Sequence, residues 1–495
     1  MQLPLPIPDL PPDQAPSEVP PRQRVYVNRN LRLDCITAVG FDMDYTLAIY
    51  DQRAMDRLSI DATVRKLVVE LGYPECLLDA AFRTDFPIRG LLVDRELGNV
   101  LKMDRYRYVK KAYHGMRELS REERHKLYHS RPIRPGSARY HWVDTLYGLS
   151  EVTLFAGAIE ALERVGTEVD RGKLFDDIRR SIDLAHQDGS ILDRITSHKE
   201  FYLRRDPDLP AALHRLKSVG KRLFLVTNSH AAYTEEVMAY LFQGYLNGYS
   251  SWRAFFDVIV TAAKKPDFFR RDDLSFVTAT GARAESLERG VIYAGGCLSE
   301  LARLGELEGD SVLYVGDHIY GDVLRAKKES AWRTMMIIQE MDRELEVHEE
   351  VTPLLDRMDQ LEAIGDVLHE ELRFRTARLK QLGRDLERAR EEGLATTEIG
   401  ARRVHHRRLV ERLKTRLRDL SAELEELEVR VDRAFHPYWG SLFKAGPEVS
   451  LFGDQVEQYA CLYTDRVSNI ARYSPLHYFR SPRDRMPHEL GASAE

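Results

Sequence analysis

Cysteine is scarce in this chain: four in 495 residues (Cys35, Cys76, Cys297 and Cys461), with no Cys-x-x-Cys pair and no histidine at zinc spacing. That excludes a disulfide framework and a zinc ribbon, and it fits a reducing, cytoplasmic compartment. No apolar run approaches the ~18 residues that a bilayer span requires, so no membrane role is expected. The first residues lack the basic and apolar regions of a signal peptide. Charge of one sign is also missing. Seventy-three Lys and Arg face 79 Asp and Glu, a net charge of −6, which argues against a general nucleic-acid-binding surface. What the chain does have is length, too much for one compact core, so two or more domains are expected.

Residues 1–24 hold eight of the 21 prolines and few large apolar side chains. They read as an extended or disordered tail. From about residue 32 the pattern turns to βα. Short apolar runs recur at Ile36–Phe41, Leu223–Val226, Val258–Val260, Val312–Val315 and Met335–Ile338. Runs of this length, apolar on both faces, suit a parallel sheet covered by helices. Between the first two lie about 150 residues with helical signals at Ile60–Leu71, Glu118–Tyr128, Thr153–Arg164 and Leu174–His186. That is too long for a crossover and reads as an inserted helical cap.

After residue 345 the composition shifts to Leu, Glu and Arg. Leu413, Leu417, Leu420, Leu424, Leu427 and Val431 form one heptad seam, and Leu368, Leu372, Leu379, Leu382 and Leu386 another. The break from Glu391 to Gly400 predicts an antiparallel coiled-coil-like hairpin. Its cluster from Arg402 to Arg408 is balanced by neighbouring glutamates and reads as a solvated face.

The segment Phe41-Asp42-Met43-Asp44-Tyr45-Thr46 carries the first chemical signal. D-x-D-x-[TV] by itself means little, since roughly one chain in four of this size holds it by chance. Position adds weight. Two carboxylates directly after a buried strand are expensive unless a cation or a reaction justifies them. At i and i+2 of extended chain they face one crevice, so one can attack phosphorus while the other handles the leaving-group proton. Thr227, Asn228 and Ser229 end the second strand with groups suited to phosphate oxygens, Lys265 follows the third, and Asp317 follows the fourth, with Asp322 five residues on. In open α/β sheets these strand ends meet in one crevice. Asp42 and Asp317 supply the hard oxygens that Mg²⁺ takes.

These segments, with Ala263-Lys264-Lys265-Pro266-Asp267-Phe268-Phe269 and Tyr314-Val315-Gly316-Asp317-His318-Ile319-Tyr320-Gly321-Asp322, resemble the haloacid-dehalogenase-like phosphatases and, within them, the cytosolic purine 5′-nucleotidase II family. Asp144-Thr145-Leu146-Tyr147, Gly440-Ser441-Leu442-Phe443 and Met486-Pro487-His488-Glu489 extend the likeness to nearly the whole chain after residue 25. The resemblance implies an aspartyl-phosphate on Asp42, with Asp44 as general acid and then base. Mg²⁺ would be held by Asp42, Asp317 and the Asp44 carbonyl, with Asp322 in support. Thr227, Asn228, Ser229 and Lys265 would bind the phosphate.

By the same resemblance Arg179, Asp183 and His186 contact the base and Tyr147 stacks on it. Tyr320, Lys328, Gln455 and Tyr459 match parts of a purine-nucleotide effector site, and a dimer or tetramer is the family habit. This chain departs from the family at Leu192, Gln187-Asp188, Gly148 and Asp144. Most of these changes fall on base contacts and leave the preference for IMP or GMP open.

The expected architecture is thus an α/β fold: a Rossmann-like parallel sheet with a haloacid-dehalogenase-like core at 25–60 and 215–345. It carries a helical cap at 61–214, a helical hairpin at 346–435 and a C-terminal segment at 436–495 packed on the core. The expected activity is Mg²⁺-dependent hydrolysis of purine nucleoside 5′-monophosphates, with phosphate transfer to a nucleoside as an added capacity. Two other readings stay open: the same chemistry on another small phosphoester, and a catalytically silent nucleotide sensor or scaffold.

Overall fold

In the computed structural model, residues 19–129, 133–244, 248–307 and 309–482 are described. The proline-rich stretch 1–18 and Met486–Glu489 lie outside them. The chain divides into two compact units, one of residues 1–342 with 442–495 and the other Arg343–Ser441.

The first unit is organised by nine strands: β1 (Tyr26–Val27), β2 (Ala38–Phe41), β3 (Arg222–Val226), β4 (Val258–Thr261), β5 (Phe276–Val277), β6 (Ile292–Gly295), β7 (Val312–Gly316), β8 (Arg333–Ile337) and β9 (Leu462–Thr464). They form one sheet in the order β1-β9-β8-β7-β2-β3-β4-β6-β5. The seven inner strands run parallel, and β1 and β5 pair antiparallel at the edges. Every residue of β2, β4 and β7 is buried, as expected for strands covered on both faces. The five apolar runs of the sequence are β2, β3, β4, β7 and β8. Strand β9 comes from beyond the hairpin, so residues after 442 complete the sheet.

Between β2 and β3 the chain makes a long excursion. Helices α1 (Gln52–Val69), α2 (Leu149–Arg164) and α3 (Arg171–Gln187) pack on one another there. Asp51 caps α1 by accepting from Ala54 N at 3.1 Å, and Asp170 caps α3 in the same way from Lys173. The insertion is not helical throughout. Strands Leu91–Asp94, Asn99–Met103, Val109–His114, Arg117–Glu118 and Tyr140–Val143 form a second, fully antiparallel sheet. The helix expected from Glu118 begins at Arg121, where Ser120 and Glu123 make a capping box. The sheet went unread because its strands are short and carry lysines at 102, 110 and 111. The hairpin signal was present, in two apolar runs joined by a turn with Gly98 at φ +74°.

The second unit pairs α4 (Met341–Glu391) with α5 (Thr397–Phe435). Arg357 meets Glu423 across the pair at 2.7 Å, which makes the helices antiparallel. The leucines of both expected seams are buried or half-buried, and Leu368, Leu382, Leu386, Leu417 and Leu427 are the deepest. Among the described residues no helix is long and apolar enough to cross a membrane.

Candidate active site

Four neighbouring strands, β7-β2-β3-β4, deliver the predicted groups to one edge of the sheet. Strand β2 is flanked by β7 on one side and β3 on the other. The chain therefore leaves the sheet in opposite directions from adjacent carboxyl ends, the geometry that opens a crevice in α/β sheets. Asp42 follows β2, Thr227 follows β3, Lys265 lies four residues after β4, and Asp317 follows β7.

The structure brings these groups into contact. Lys265 Nζ donates to Asp42 Oδ1 at 2.9 Å, Asp322 Oδ1 at 2.7 Å and Tyr314 Oη at 3.2 Å. All three ammonium hydrogens thus have acceptors. The Asn228 side-chain amide binds the Lys265 backbone twice, donating from Nδ2 to Lys265 O at 3.1 Å and accepting at Oδ1 from Lys265 N at 2.6 Å. Asp44 accepts from Ser229 Oγ and Tyr50 Oη, each at 2.6 Å, and Tyr50 bonds in turn to Tyr233 at 2.8 Å. Ligand oxygens of Asp42, Asp317 and Asp322 lie within 4.8 Å of one another, and all three residues are buried.

The backbone around these groups is strained. Tyr45, Ala262 and Lys264 are non-glycine residues at φ 56°, 47° and 57°, each costing about 1–3 kcal/mol. Gln339 steadies the first of these turns by donating to Tyr45 O at 2.9 Å. After β7 the chain enters a π-helical turn, Ile319–Leu324, of the kind found at functional sites. It folds Asp322 back on Gly316, where a Cβ would sit 2.5 Å from that of Asp322.

Three buried carboxylates and the half-buried Asp44 share this space. Burial, with Asp322, Asp44 and Asp317 nearby, holds the Asp42 carboxyl well above its usual range against the pull of Lys265. Burial likewise raises Asp44, opposed by hydrogen bonds from Ser229 and Tyr50, and lifts Asp317 to about 7 against Arg89. Burial works against the Lys265 charge, but Asp322 and Asp42 outweigh it and keep it protonated. The surplus of hard oxygen donors over cations suits a small divalent ion.

One central residue was not predicted. Arg89, fully buried, donates to Asp317 O at 3.0 Å and to both oxygens of Glu340 at 2.7 and 2.5 Å, with its guanidinium over the Phe452 ring. It joins the insertion to the strand end that carries Asp317. In sequence it is a lone arginine before an apolar run, and its partners lie more than 220 residues away.

The residues expected to read the base also converge, in the insertion. Tyr147 and His186 are in ring contact at 4.8 Å, and burial lowers His186 to about 4, so its imidazole is neutral. Arg179 and Asp183 on α3 face Glu151 on α2, with Arg179 Nε 3.4 Å from Glu151 Oε2. Glu151 was not predicted. It is buried, and its Oε2 makes no hydrogen bond. The loop holding Tyr147 is tied to α1, since Gln52 Nε2 donates to Leu146 O and to Asp56, both at 2.9 Å.

Of the four effector-site residues, Tyr320 and Gln455 line a cavity of about 380 Å³ with Asp144, His318 and Trp142. Lys328 and Tyr459 are not among its walls; Lys328 is exposed, and the Tyr459 carbonyl accepts from Thr334. Gln455 Oε1 is buried without a partner. His318 pairs with Asp144 at 3.3 Å, and that carboxylate, prevailing over burial, raises His318 to about 9.

Two carboxylates on one loop, with a lysine bridging the first of them to a third, thus stand at the carboxyl end of a parallel sheet. The chain belongs to the 5′ nucleotidase family, whose family model matches residues 25–491. It is accordingly a phosphoric monoester hydrolase of the 5′-nucleotidase kind.

Relatives match along most of this chain and are themselves longer. A 5′-nucleotidase domain-containing protein of Dictyostelium discoideum is 28% identical over 480 residues, which cover 94% of this chain and 75% of that protein. Rat 5′-nucleotidase domain-containing protein 2 is 27% identical over 484 residues, 94% of this chain and 80% of that one. Its human counterpart is 31% identical over 342 residues, 65% and 64% of the two chains. Among solved structures, an archaeal β-phosphoglucomutase from Pyrococcus sp. strain ST 04 aligns at 11% identity and TM-score 0.30, over 61% of this chain and 86% of that one.

Proposed function

We propose that this nucleotidase is Mg²⁺-dependent and hydrolyses purine nucleoside 5′-monophosphates of the IMP and GMP type through an aspartyl-phosphate on Asp42. The observation that carries the reading is the division of labour between the two loop carboxylates. Asp42 is paired with Lys265, which opposes the burial that raises its carboxyl, and the Mg²⁺ it would share with Asp317 would further favour the ionised, nucleophilic form. Asp44 is held by two hydroxyls and raised by burial, which suits a proton carrier.

In the first step Asp42 attacks phosphorus and the bond to the ribose 5′-oxygen breaks, while Asp44 protonates that oxygen. In the second step Asp44 takes a proton from water, which attacks the phosphorus of the aspartyl-phosphate and frees Asp42. A nucleoside hydroxyl in place of that water gives phosphate transfer instead. Thr227, Asn228, Ser229 and Lys265 bind the phosphoryl oxygens, where fixed donors lower the barrier. Asp42, Asp317 and the Asp44 carbonyl would hold Mg²⁺, with Asp322 in support, and the ion would neutralise phosphoryl charge.

The base side supports a 6-oxopurine. Such a ring offers N1–H as donor and O6 as acceptor. Buried Glu151, with Asp183 beside it, supplies acceptors, and Arg179 supplies the donor. Tyr147 and neutral His186 provide the stacking face. The cavity lined by Asp144, Tyr320 and Gln455 is the purine-nucleotide effector site in this reading, and the enzyme works in the cytoplasm as a homo-oligomer.

Steady-state rates on IMP, GMP, AMP, ribose 5-phosphate and a small sugar phosphate, with and without ATP, test the substrate half. IMP and GMP should lead. Nucleotides ranking last would overturn it in favour of another phosphoester.

A further inference from the structure

The α4–α5 hairpin is electrically polarised along its length. The antiparallel register is fixed at three places: Arg357 meets Glu423, Gly365 faces Leu420 and Gly383 faces Arg403. In that register Val367 lies level with Arg418, and this level falls midway between the joining loop and the open end where the chain enters and leaves. The loop half, residues 368–418, carries 15 Lys and Arg against eight Asp and Glu. The open half, residues 343–367 with 419–441, carries four against 14. One half is therefore +7 and the other −10. Ion pairs within single helices, such as Arg402 with Glu398 and Lys414 with Glu411, join charges inside the loop half and leave its excess in place.

A second feature sits at the midpoint. Ile364, Val367 and Phe374 are 40%, 68% and 60% exposed. Their spacing of three and seven puts them on one face of α4, apart from the seam of Leu361, Leu368 and Leu382 that faces α5. The stripe is centred on the level at which the charge changes sign.

We propose that the hairpin is a homodimerisation element, and that its partner is the hairpin of a second copy of this chain packed alongside in the opposite direction. A two-fold axis at mid-length brings the apolar stripe against itself. It also lays each basic loop half on the acidic open half of the other copy, as an isologous contact demands. Parallel packing would set like charge against like and is disfavoured. The apolar stripe supplies affinity, and the charge pattern supplies direction and register.

The experiment is sedimentation velocity on the full chain. The wild type sediments as a dimer or higher even oligomer at low salt and shifts toward monomer in 1 M NaCl, where screening shortens from about 10 Å to about 3 Å. Val367→Glu with Phe374→Glu removes the dimer and leaves the helical circular dichroism unchanged. A charge swap keeps the test clear of folding defects. Loop-half reversal (Arg373, Arg378, Lys380, Arg402, Arg403, Arg407 and Arg408 to Glu) takes that half from +7 to −7, open-half reversal (Glu349, Glu350, Asp356, Asp359, Glu425, Glu426 and Glu428 to Lys) takes the other from −10 to +4, and each gives monomers alone. Mixed together they give a heterodimer, because each reversed half then meets its complement. A monomeric wild type, a dimer that survives either reversal alone, or a mixture that stays monomeric would overturn the proposal. So would a monomeric wild type that uses the loop half to bind duplex DNA.

Discussion

Replacing Arg89 with methionine tests whether the buried cation is what fastens the insertion to the Asp317 strand end. The guanidinium has no exposure and makes three hydrogen bonds, two to Glu340 and one to Asp317 O. Removing one partner of a buried ion pair costs about 3–5 kcal/mol, mostly because the remaining charge is stranded. The Glu340 side chain is 28% exposed and recovers some hydration, which places its share at the low end. The Asp317 carbonyl, left without its donor, adds about 1 kcal/mol. Methionine keeps contact with Phe452, so packing loss is small.

The expected loss is about 3–4 kcal/mol, measured by urea denaturation followed by tryptophan fluorescence. Glu340→Gln alone strands Arg89 and is also destabilising. The double variant should therefore fall short of the sum by about 2 kcal/mol. A loss under about 1 kcal/mol for Arg89→Met, or strict additivity in the double variant, would refute the reasoning.

Three further outcomes are expected. Asp56, buried on α1 beside Gln52, has its carboxyl pushed up to about 7 by burial. The folded state then keeps a proton that the unfolded chain releases above pH 4, so stability falls as pH rises from about 4 to 7, by about 4 kcal/mol. Asp56→Asn should flatten that slope and exceed the wild type in stability near pH 8; a parallel pair of pH–stability curves would contradict it. Gly316→Ala places a Cβ 2.5 Å from that of Asp322, which should cost about 1–3 kcal/mol and depress kcat by displacing Asp322 from Lys265. Unchanged stability and turnover would show that the turn relaxes freely. Asp44→Asn should lower kcat by about 10²–10⁴ with little change in fold, the usual worth of a general acid–base, and a variant of near wild-type rate would remove Asp44 from the chemistry.

The inner sheet and the phosphate chemistry were legible because both are written locally. Strands β2, β3, β4, β7 and β8 are apolar on both faces, and each motif residue sits within a few positions of a strand end. The edge strands were not. The residues of β6 are mostly half-buried, and β9 reaches the sheet only after the whole hairpin has intervened. The antiparallel sheet of the insertion was masked by its lysines and by the strong helical periodicity on either side. Arg89 and Glu151 were invisible for another reason. Each looks like an ordinary charged residue until tertiary packing buries it, and only then does its pairing carry meaning.

The central claim is that Asp42 becomes phosphorylated during turnover. The most direct measurement uses the Asp44→Asn protein with p-nitrophenyl phosphate, whose leaving group needs no general acid, so that loss of Asp44 slows the breakdown of the intermediate and not its formation. The protein is mixed with this substrate and Mg²⁺, quenched in acid and mapped by peptide mass spectrometry. The account predicts a phosphoryl group on the peptide carrying Asp42, absent when Asp42 is also replaced by asparagine. Phosphate release with no label on that peptide, or a label on any other residue, would contradict it.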